Sequence, residues 1–383
     1  MSVTSAKGFQ AAGVAAGLKP SGDRDVALVR NTGPLDAAAG VFTGNRIKAA
    51  PVLWSEQVLK AGRLTAVVLN SGGANACTGP QGFQDTHATA ERVAERLNIG
   101  AADVAVCSTG VIGERLPMHA LLNGVDQAAQ QLGDDPDKTA AQAIITTDTH
   151  PKTTTVHGNG FTVGGMVKGA GMLAPALATM LCVLTTDAIA DADALDTALR
   201  AATKQTFDRI DSDGCMSTND TVLLLASGAS KTKPTQEELE TAVKQACADL
   251  AHQLIGDAEG ASKEIAITVT NAKTEQEALD VARAIARNNL LMCALFGNDP
   301  YWGRVLAAIG TTDATFDPDR IDVSFNDVPV CVNSAANPQA HAADISARNL
   351  DITVDLHAGE NTATVHTNDL TLAYVHENSA YTS

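Results

Sequence analysis

Thr179 is the residue of this sequence with the clearest potential for covalent chemistry. It follows the glycine-rich segment GGMVKGAGMLAP (164–175) and opens the apolar run TMLCVL. A threonine hydroxyl is a weak nucleophile and needs a base beside it. If the chain were cut between Ala178 and Thr179, the freed α-amine, with a pKa of about 8, could accept the hydroxyl proton. The pattern therefore suggests self-cleavage followed by acyl transfer on Thr179.

A structural interpretation explains the same residues without any chemistry. Glycine allows positive φ angles and close backbone approach, so the segment predicts a turn. The turn would lead into a buried strand in which Thr179 is an ordinary β-branched residue. Taken alone, the pattern favours this second interpretation.

A second turn could stabilise the charge that develops during acyl transfer. The run DVAVCSTGVIG (103–113) predicts a strand leading into a turn at Ser108, Thr109 and Gly110. An exposed Thr109 hydroxyl beside the Gly110 N–H would form an oxyanion hole. A plain strand-to-helix turn fits the same residues, and the sequence leaves both interpretations open.

Strands and helices are mixed along the whole chain, which predicts an α/β or α+β protein of several layers. Apolar or alternating runs predict strands at 64–69, 103–107, 179–184, 264–269, 321–325 and around 352–356. Two pairs with capping-box spacing, Thr235 with Glu238 and Thr274 with Glu277, predict helix starts. Asp85 is a further candidate N-cap.

The overall composition excludes several classes of partner. Of 383 residues, 27 are Lys or Arg and 44 are Asp or Glu, so the formal net charge is −17. Such an acidic protein repels phosphate backbones and anionic lipid, which argues against nucleic acid and membranes. No apolar run reaches the roughly 20 residues of a membrane span, and no signal peptide is recognisable. Seven dispersed cysteines and nine dispersed histidines predict a cytoplasmic protein without a metal site.

Eight segments, in order along the chain, resemble the ArgJ family, the ornithine acetyltransferases of the cyclic arginine pathway. The segments are VVLNSGGANACTG, CSTGVIG, TTDTHPK, KGAGMLAPALATML, DSDGCMSTNDT, GDAEGASK, GNDPYWGR and HENSAYTS. The resemblance implies an ArgJ/DmpA-like fold with Thr179 as nucleophile on a central strand. It also implies cleavage of the Ala178–Thr179 bond into an α chain, 1–178, and a β chain, 179–383.

The resemblance also assigns roles to individual residues. Thr109 and Gly110 match the family's oxyanion-hole pair. The substrate-binding positions that it implies, besides Thr179, are Thr147 (favoured over Thr146), Lys168, Glu259, Asn378 and Ser383. We expect Lys168 to pair with a carboxylate and Glu259 to contact an amine or to position Lys168.

The implied activity is that of a glutamate N-acetyltransferase. Thr179 would take the acetyl group from N2-acetyl-L-ornithine and pass it to L-glutamate, without a cofactor. Whether acetyl-CoA also serves as donor, as in an amino-acid N-acetyltransferase, stays open. An α2β2 heterotetramer is implied by resemblance only. The alternatives are an N-terminal-nucleophile aminopeptidase or amidohydrolase, an acetyltransferase of secondary metabolism, and a non-catalytic binding protein.

Overall fold

A computed structural model describes residues 2–171 and 180–380 of the chain. These residues form two compact units. The first unit comprises Met1–Asp208 and Cys215–Leu254, and the second comprises Arg209–Gly214 and Ile255–Ser383. Within the described ranges, no helix is long and apolar enough to cross a membrane.

The described residues form fifteen strands and ten α-helices, with three short 3-10 helices at 101–103, 207–209 and 338–342. The strands are β1 (Phe9–Val14), β2 (Val26–Asn31), β3 (Ala38–Phe42), β4 (Ala66–Asn70), β5 (Val104–Ser108), β6 (Lys152–His157), β7 (Thr162–Lys168), β8 (Leu181–Thr186), β9 (Thr221–Ala226), β10 (Glu264–Ala272), β11 (Asp322–Phe325), β12 (Val328–Val332), β13 (Ala335–Ala336), β14 (Asn349–Asp355) and β15 (Asn361–Asn368). The helices are α1 (Ala50–Leu59), α2 (Gly79–Leu97), α3 (Met118–Gln131), α4 (Thr139–Ile144), α5 (Ala192–Gln205), α6 (Gln236–Gly256), α7 (Glu275–Ala286), α8 (Asn289–Phe296), α9 (Gly303–Ile309) and α10 (Leu372–Ala380).

The first unit contains two mixed sheets that pack face to face. One has the strand order β1-β2-β4-β5 and the other β3-β9-β8-β7-β6. Residues such as Val67 and Leu69 of the one and Leu181, Val183 and Leu223 of the other share a buried core. Because β4, β5, β8 and β9 are buried along their whole length, their sequences are almost continuously apolar.

Helices cover the outer faces of both sheets. The second core of the first unit joins α2 and α3 to the outer face of the β1-β2-β4-β5 sheet, with Val93 and Val125 against Leu28 and Val68. On the other sheet, α5 packs against β3 and β9. A Cβ added at Gly165 of β7 would lie 3.2 Å from Leu250 of α6. The first unit is therefore a four-layer α/β/β/α structure.

The second unit is a separate α/β structure with its own core. Its mixed sheet has the order β13-β12-β11-β14-β10-β15. One face of this sheet, including Ile267, Ile352 and Val354, packs on helices α7, α8 and α9. The alternating pattern predicted around 352–356 is confirmed, since β14 alternates between exposed or partly buried and buried positions.

Two predicted helix starts are confirmed and one is wrong. The Thr235 N–H donates to Glu238 Oε2 at 2.9 Å and the Glu238 N–H donates to Thr235 Oγ1 at 3.2 Å, which is a reciprocal capping box. Thr274 caps α7 through the Glu277 N–H at 3.1 Å. Asp85 is no cap, because Pro80 lets α2 begin earlier, at Gly79, and Asp85 lies inside the helix.

The predicted glycine-rich turn at 164–175 is partly wrong. Residues up to Lys168 belong to strand β7, and Gly164 and Gly165 are strand residues. A Cβ on Gly164 would lie 2.4 Å from the Ser2 carbonyl oxygen, so glycine is required there by close packing. Residues 172–179 lie outside the described residues.

Candidate active site

The turn after β5 is held against the turn after β4. These parallel neighbours end side by side, with Asn70 paired to Ser108. The Ser108 hydroxyl donates to Asn70 Oδ1 at 2.6 Å, and the Thr109 N–H donates to the Asn70 carbonyl at 2.9 Å. The Gly73 N–H then donates to the Thr109 carbonyl at 3.0 Å. The predicted strand and turn are therefore confirmed, and the turns after β4 and β5 are joined by hydrogen bonds.

Thr109 contributes a hydroxyl to this turn, and Gly110 contributes a backbone N–H. Thr109 is 1% exposed, so the expectation of an exposed hydroxyl is wrong, and Lys168 Nζ lies 3.4 Å from its Oγ1. Gly110 has φ +133°, and a Cβ there would lie 2.7 Å from the Gly73 nitrogen. Among the residues that the structure describes, no carbonyl accepts the Gly110 N–H. A hydroxyl and an N–H are thus available side by side, as an oxyanion hole requires.

Lys168 is a buried cation beside Thr109. It ends β7, is only 2% exposed, and its Nζ donates to Thr109 Oγ1 at 3.4 Å. Because Thr109 Oγ1 accepts this hydrogen bond, its own hydrogen remains able to donate. Lys168 and Thr109, which the sequence placed in one site, are therefore in contact.

Asp148 balances the buried positive charge around Lys168. Its carboxylate accepts hydrogen bonds from Lys152 Nζ at 2.6 Å, from the Gly169 N–H at 2.7 Å and from the Thr146 N–H at 3.0 Å. Burial raises the pKa of Asp148, but the Lys168 and Lys152 ammoniums outweigh it and hold that pKa below its usual value. The carboxylate therefore stays ionised and joins the end of β7 to the loop that carries Thr147.

Thr147 itself lies in the loop between α4 and β6 and is partly buried. Thr149, two residues further on, is exposed and its hydroxyl lies 2.9 Å from His150 Nδ1. Thr147 is thus nearer than Thr149 to the protein interior, and the preference for Thr147 over Thr146 stays a prediction.

Met180 follows the predicted nucleophile in the sequence and directly precedes β8. The Met180 N–H donates to Asp220 Oδ1 at 3.0 Å, and the Met180 carbonyl accepts the Thr221 N–H at 2.9 Å. Ala178 and Thr179 lie outside the described residues, so their roles stay predictions.

Glu259 and Asn378 come together in the second unit. Asn378 Nδ2, on α10, donates to Glu259 Oε2 at 3.0 Å, in the turn after α6. Glu259 lines a cavity of about 300 Å³ whose other polar walls include Arg287, Asn289, Asp369 and Tyr374. The tail residue Asn378 is therefore part of helix α10, whereas Ser383 lies outside the described residues.

The sequence analysis assigned no role to three residues near the site. Asp148 is described above, and Asn219 donates to the Ser108 carbonyl beside the turn. Lys19 Nζ donates to the Ile145 and Arg24 carbonyls, and burial lowers the pKa of Lys19. Cys107, which ends the apolar part of β5, is no rival nucleophile, because burial raises its pKa to about 12.

The layered fold and the buried hydroxyl, N–H and ammonium define a candidate acyl-transfer enzyme. The chain belongs to the ArgJ family, whose profile matches residues 10–383. The arginine biosynthesis bifunctional protein ArgJ of Streptomyces coelicolor is 64% identical over 383 residues, and the match covers 100% of both chains. The bifunctional ArgJ protein of Mycobacterium leprae is 58% identical, over 100% of this chain and 96% of its own.

One solved structure is similar to part of this chain. The ornithine acetyltransferase of Mycobacterium tuberculosis, complexed with ornithine, is 60% identical to this protein. The match covers 45% of this chain and 94% of that chain, with a TM-score of 0.45.

Proposed function

We propose that this protein cuts itself between Ala178 and Thr179 and then moves an acetyl group from N2-acetyl-L-ornithine to L-glutamate. The observation that carries the proposal is the turn at Thr109 and Gly110. The buried Thr109 hydroxyl accepts a hydrogen bond from Lys168 Nζ. Beside it, the Gly110 N–H donates to no backbone carbonyl among the described residues. Full-length identity of 64% to a bifunctional ArgJ protein supports the same activity.

The first half-reaction forms an acetyl-enzyme. Thr179 Oγ attacks the acetyl carbonyl while the α-amine of Thr179 takes the hydroxyl proton. The Thr109 hydroxyl and the Gly110 N–H donate to the oxyanion of the tetrahedral intermediate, at about 3–4 kcal/mol per donor in other acyl-transfer enzymes. The C–N bond then breaks, the α-amine returns the proton to the departing nitrogen, and ornithine leaves.

The second half-reaction runs the same steps in reverse with a new amine. The glutamate nitrogen attacks the acetyl-Thr179 carbonyl and loses its proton to the α-amine. Collapse of the intermediate breaks the bond to Thr179 Oγ, which regains a proton, and N-acetyl-L-glutamate is released. One amine base and one oxyanion hole thus serve both half-reactions.

Charged side chains would hold the two amino acids. Lys168 is our candidate for pairing with a substrate carboxylate, with Thr147 contacting substrate from the loop held by Asp148. Glu259, Asn378 and Ser383 are our candidate substrate-binding residues in the second unit. The cavity of about 300 Å³ beside Glu259 supports this part, because it offers carboxylates to an amine and Arg287 to a carboxylate.

The remaining parts of the proposal concern the whole enzyme. It needs no metal or prosthetic group. The name of the bifunctional relatives supports a second activity, acetylation of glutamate from acetyl-CoA. We also propose that the two chains assemble as an α2β2 heterotetramer in the cytoplasm.

An acceptor-dependence assay tests the proposal. Purified protein receives N2-acetyl-L-ornithine with and without L-glutamate, and free ornithine and N-acetylglutamate are measured. We expect sustained turnover only with glutamate, and none for Thr179→Ala. Thr315→Ala, at an exposed threonine, should keep wild-type activity. Equal release of ornithine without glutamate would instead establish a hydrolase, and turnover by Thr179→Ala would contradict the nucleophile.

A further inference from the structure

We propose that Asn219 is a positioning residue that aims the Thr109–Gly110 turn at the developing oxyanion. This inference deepens the proposed function and rests on it. Asn219 precedes β9 and is 3% exposed.

The amide of Asn219 spans two chain segments. Its Nδ2 donates to the Ala74 carbonyl at 2.6 Å and to the Ser108 carbonyl at 2.8 Å. Its Oδ1 accepts the Thr218 hydroxyl at 2.6 Å, which orients the amide so that both N–H groups point at the carbonyls. Both donors of the side chain are therefore used to hold backbone.

The first peptide group held in this way joins Ser108 to Thr109. Its carbonyl belongs to Ser108 and accepts from Asn219, while its N–H belongs to Thr109 and donates to the Asn70 carbonyl at 2.9 Å. Because a peptide group is planar, hydrogen bonds on opposite edges fix its rotation. The direction in which the Thr109 side chain leaves the backbone is fixed with it.

The second peptide carries the Gly110 N–H. Its carbonyl, that of Thr109, accepts the Gly73 N–H at 3.0 Å. Gly73 directly precedes Ala74, whose carbonyl is the other acceptor of Asn219. Since N–H and C=O point in opposite directions in one peptide plane, holding the Thr109 carbonyl aims the Gly110 N–H away from Gly73.

A neutral amide suits this position better than a charged group. The two carbonyls need N–H donors, and the nearby cation, Lys168, is already paired with Thr109 Oγ1. A carboxylate in place of the amide would repel both carbonyls and the oxyanion. Asn219 supplies two donors without adding charge.

The test is steady-state kinetics of Asn219→Leu and Asn219→Ala, with kcat counted per cleaved chain as measured on a denaturing gel. Leucine has nearly the shape of asparagine but no donors. We expect kcat to fall about 10- to 100-fold with KM changed less than about two-fold, because one misplaced oxyanion donor costs 10²–10³ in kcat elsewhere. The double variant with Thr109→Ala should lose less than the product of the single losses, because both act on one turn.

Asn31→Leu is the matched control. Asn31 is also buried in the first unit, and its Nδ2 donates to the Leu35 and Ala226 carbonyls at 2.9 and 3.2 Å. Ala226 ends β9, whereas Asn219 precedes its first residue, so the control lies about 20 Å away along the strand. Asn31→Leu should lose comparable thermal stability but keep kcat.

Four results would overturn the inference while Thr109→Ala still lowers kcat. They are unchanged kcat and KM in the Asn219 variants, a raised KM with unchanged kcat, folded variants that do not cleave themselves, and failure of both Asn219 variants to fold when Asn31→Leu folds. Wild-type protein without acetyl transfer would instead overturn the proposed function, and this inference with it.

Discussion

At the scale of single residues, Asp148 is a buried carboxylate that contacts the end of β7. It and Lys152 are fully buried at their side chains, 2.6 Å apart. Its carboxylate also accepts the Gly169 and Thr146 N–H groups. One carboxylate thus offsets buried positive charge and ties the end of β7 to the loop of Thr147.

We expect Asp148→Asn to destabilise the protein by about 3–5 kcal/mol, because it breaks the fully buried ion pair with Lys152 by removing one charged partner. Chemical denaturation monitored by circular dichroism measures the change. The control is Asp196→Asn, which breaks the exposed pair with Arg200 and should cost less than about 1 kcal/mol. Equal losses in the two variants would contradict this account of Asp148.

Sequence predicted the residues of the turn but not those that hold it. Thr109 and Gly110 follow a recognisable buried strand, so their turn was predictable from neighbouring residues. Asn219 was not predictable, because its two acceptors lie 145 and 111 residues away along the chain. The burial of Thr109 was missed for a similar reason, since Lys168 is 59 residues distant.

At the scale of elements, the sequence predicted the features that depend on residues close together in the chain. The caps of α6 and α7 depend on residues three apart, and the sequence predicted both. The glycines of β7 depend instead on packing, since Gly164 faces the Ser2 carbonyl and Gly165 faces Leu184. No pattern within the segment reveals such neighbours, so the strand was mistaken for a turn.

Asp211 links elements of the second unit and makes its stability depend on pH. Its N–H donates to the His366 carbonyl of β15 at 2.8 Å, and its carboxylate accepts from Arg287, after α7, at 2.8 Å. Burial raises the pKa of Asp211 to about 6, although Arg287 opposes the rise. Between pH 4 and 6 the folded protein therefore keeps a proton that the unfolded chain loses.

The contribution of Asp211 to the free energy of unfolding should thus fall as pH rises from 4 to 6. Between the pKa of Asp211 in the unfolded chain and that in the folded protein, the fall is about 1.4 kcal/mol for each pH unit. Asp211→Asn cannot titrate, so the free energy of unfolding of the wild type minus that of the variant should decrease by about 2–3 kcal/mol over this range. Urea unfolding at both pH values measures it. A constant difference for Asp211→Asn would contradict the raised pKa.

At the scale of the whole molecule, the proposed cut divides the chain but not the folded units. Strand β7 precedes the 178–179 bond and β8 follows it, and they pair antiparallel through six residue pairs. The β3 strand also pairs with β9 across the cut. The predicted α chain, 1–178, and β chain, 179–383, therefore build one sheet together.

We expect the two chains to stay associated after cleavage. Wild-type protein should give two bands on a denaturing gel but one peak on size exclusion under native conditions, with both bands in it. Thr179→Ala should elute alike and give one band. Separation of the chains in native buffer would contradict the shared sheet.

In the proposed mechanism, Thr179 carries the acetyl group between the two substrates. The most direct measurement is intact-protein mass spectrometry after incubation with N2-acetyl-L-ornithine alone, followed by peptide mapping. We expect the chain beginning at Thr179 to gain the mass of one acetyl group, on Thr179, and L-glutamate to remove it. A chain that gains no acetyl group while the enzyme turns over with both substrates would rule out Thr179 as the acetyl carrier.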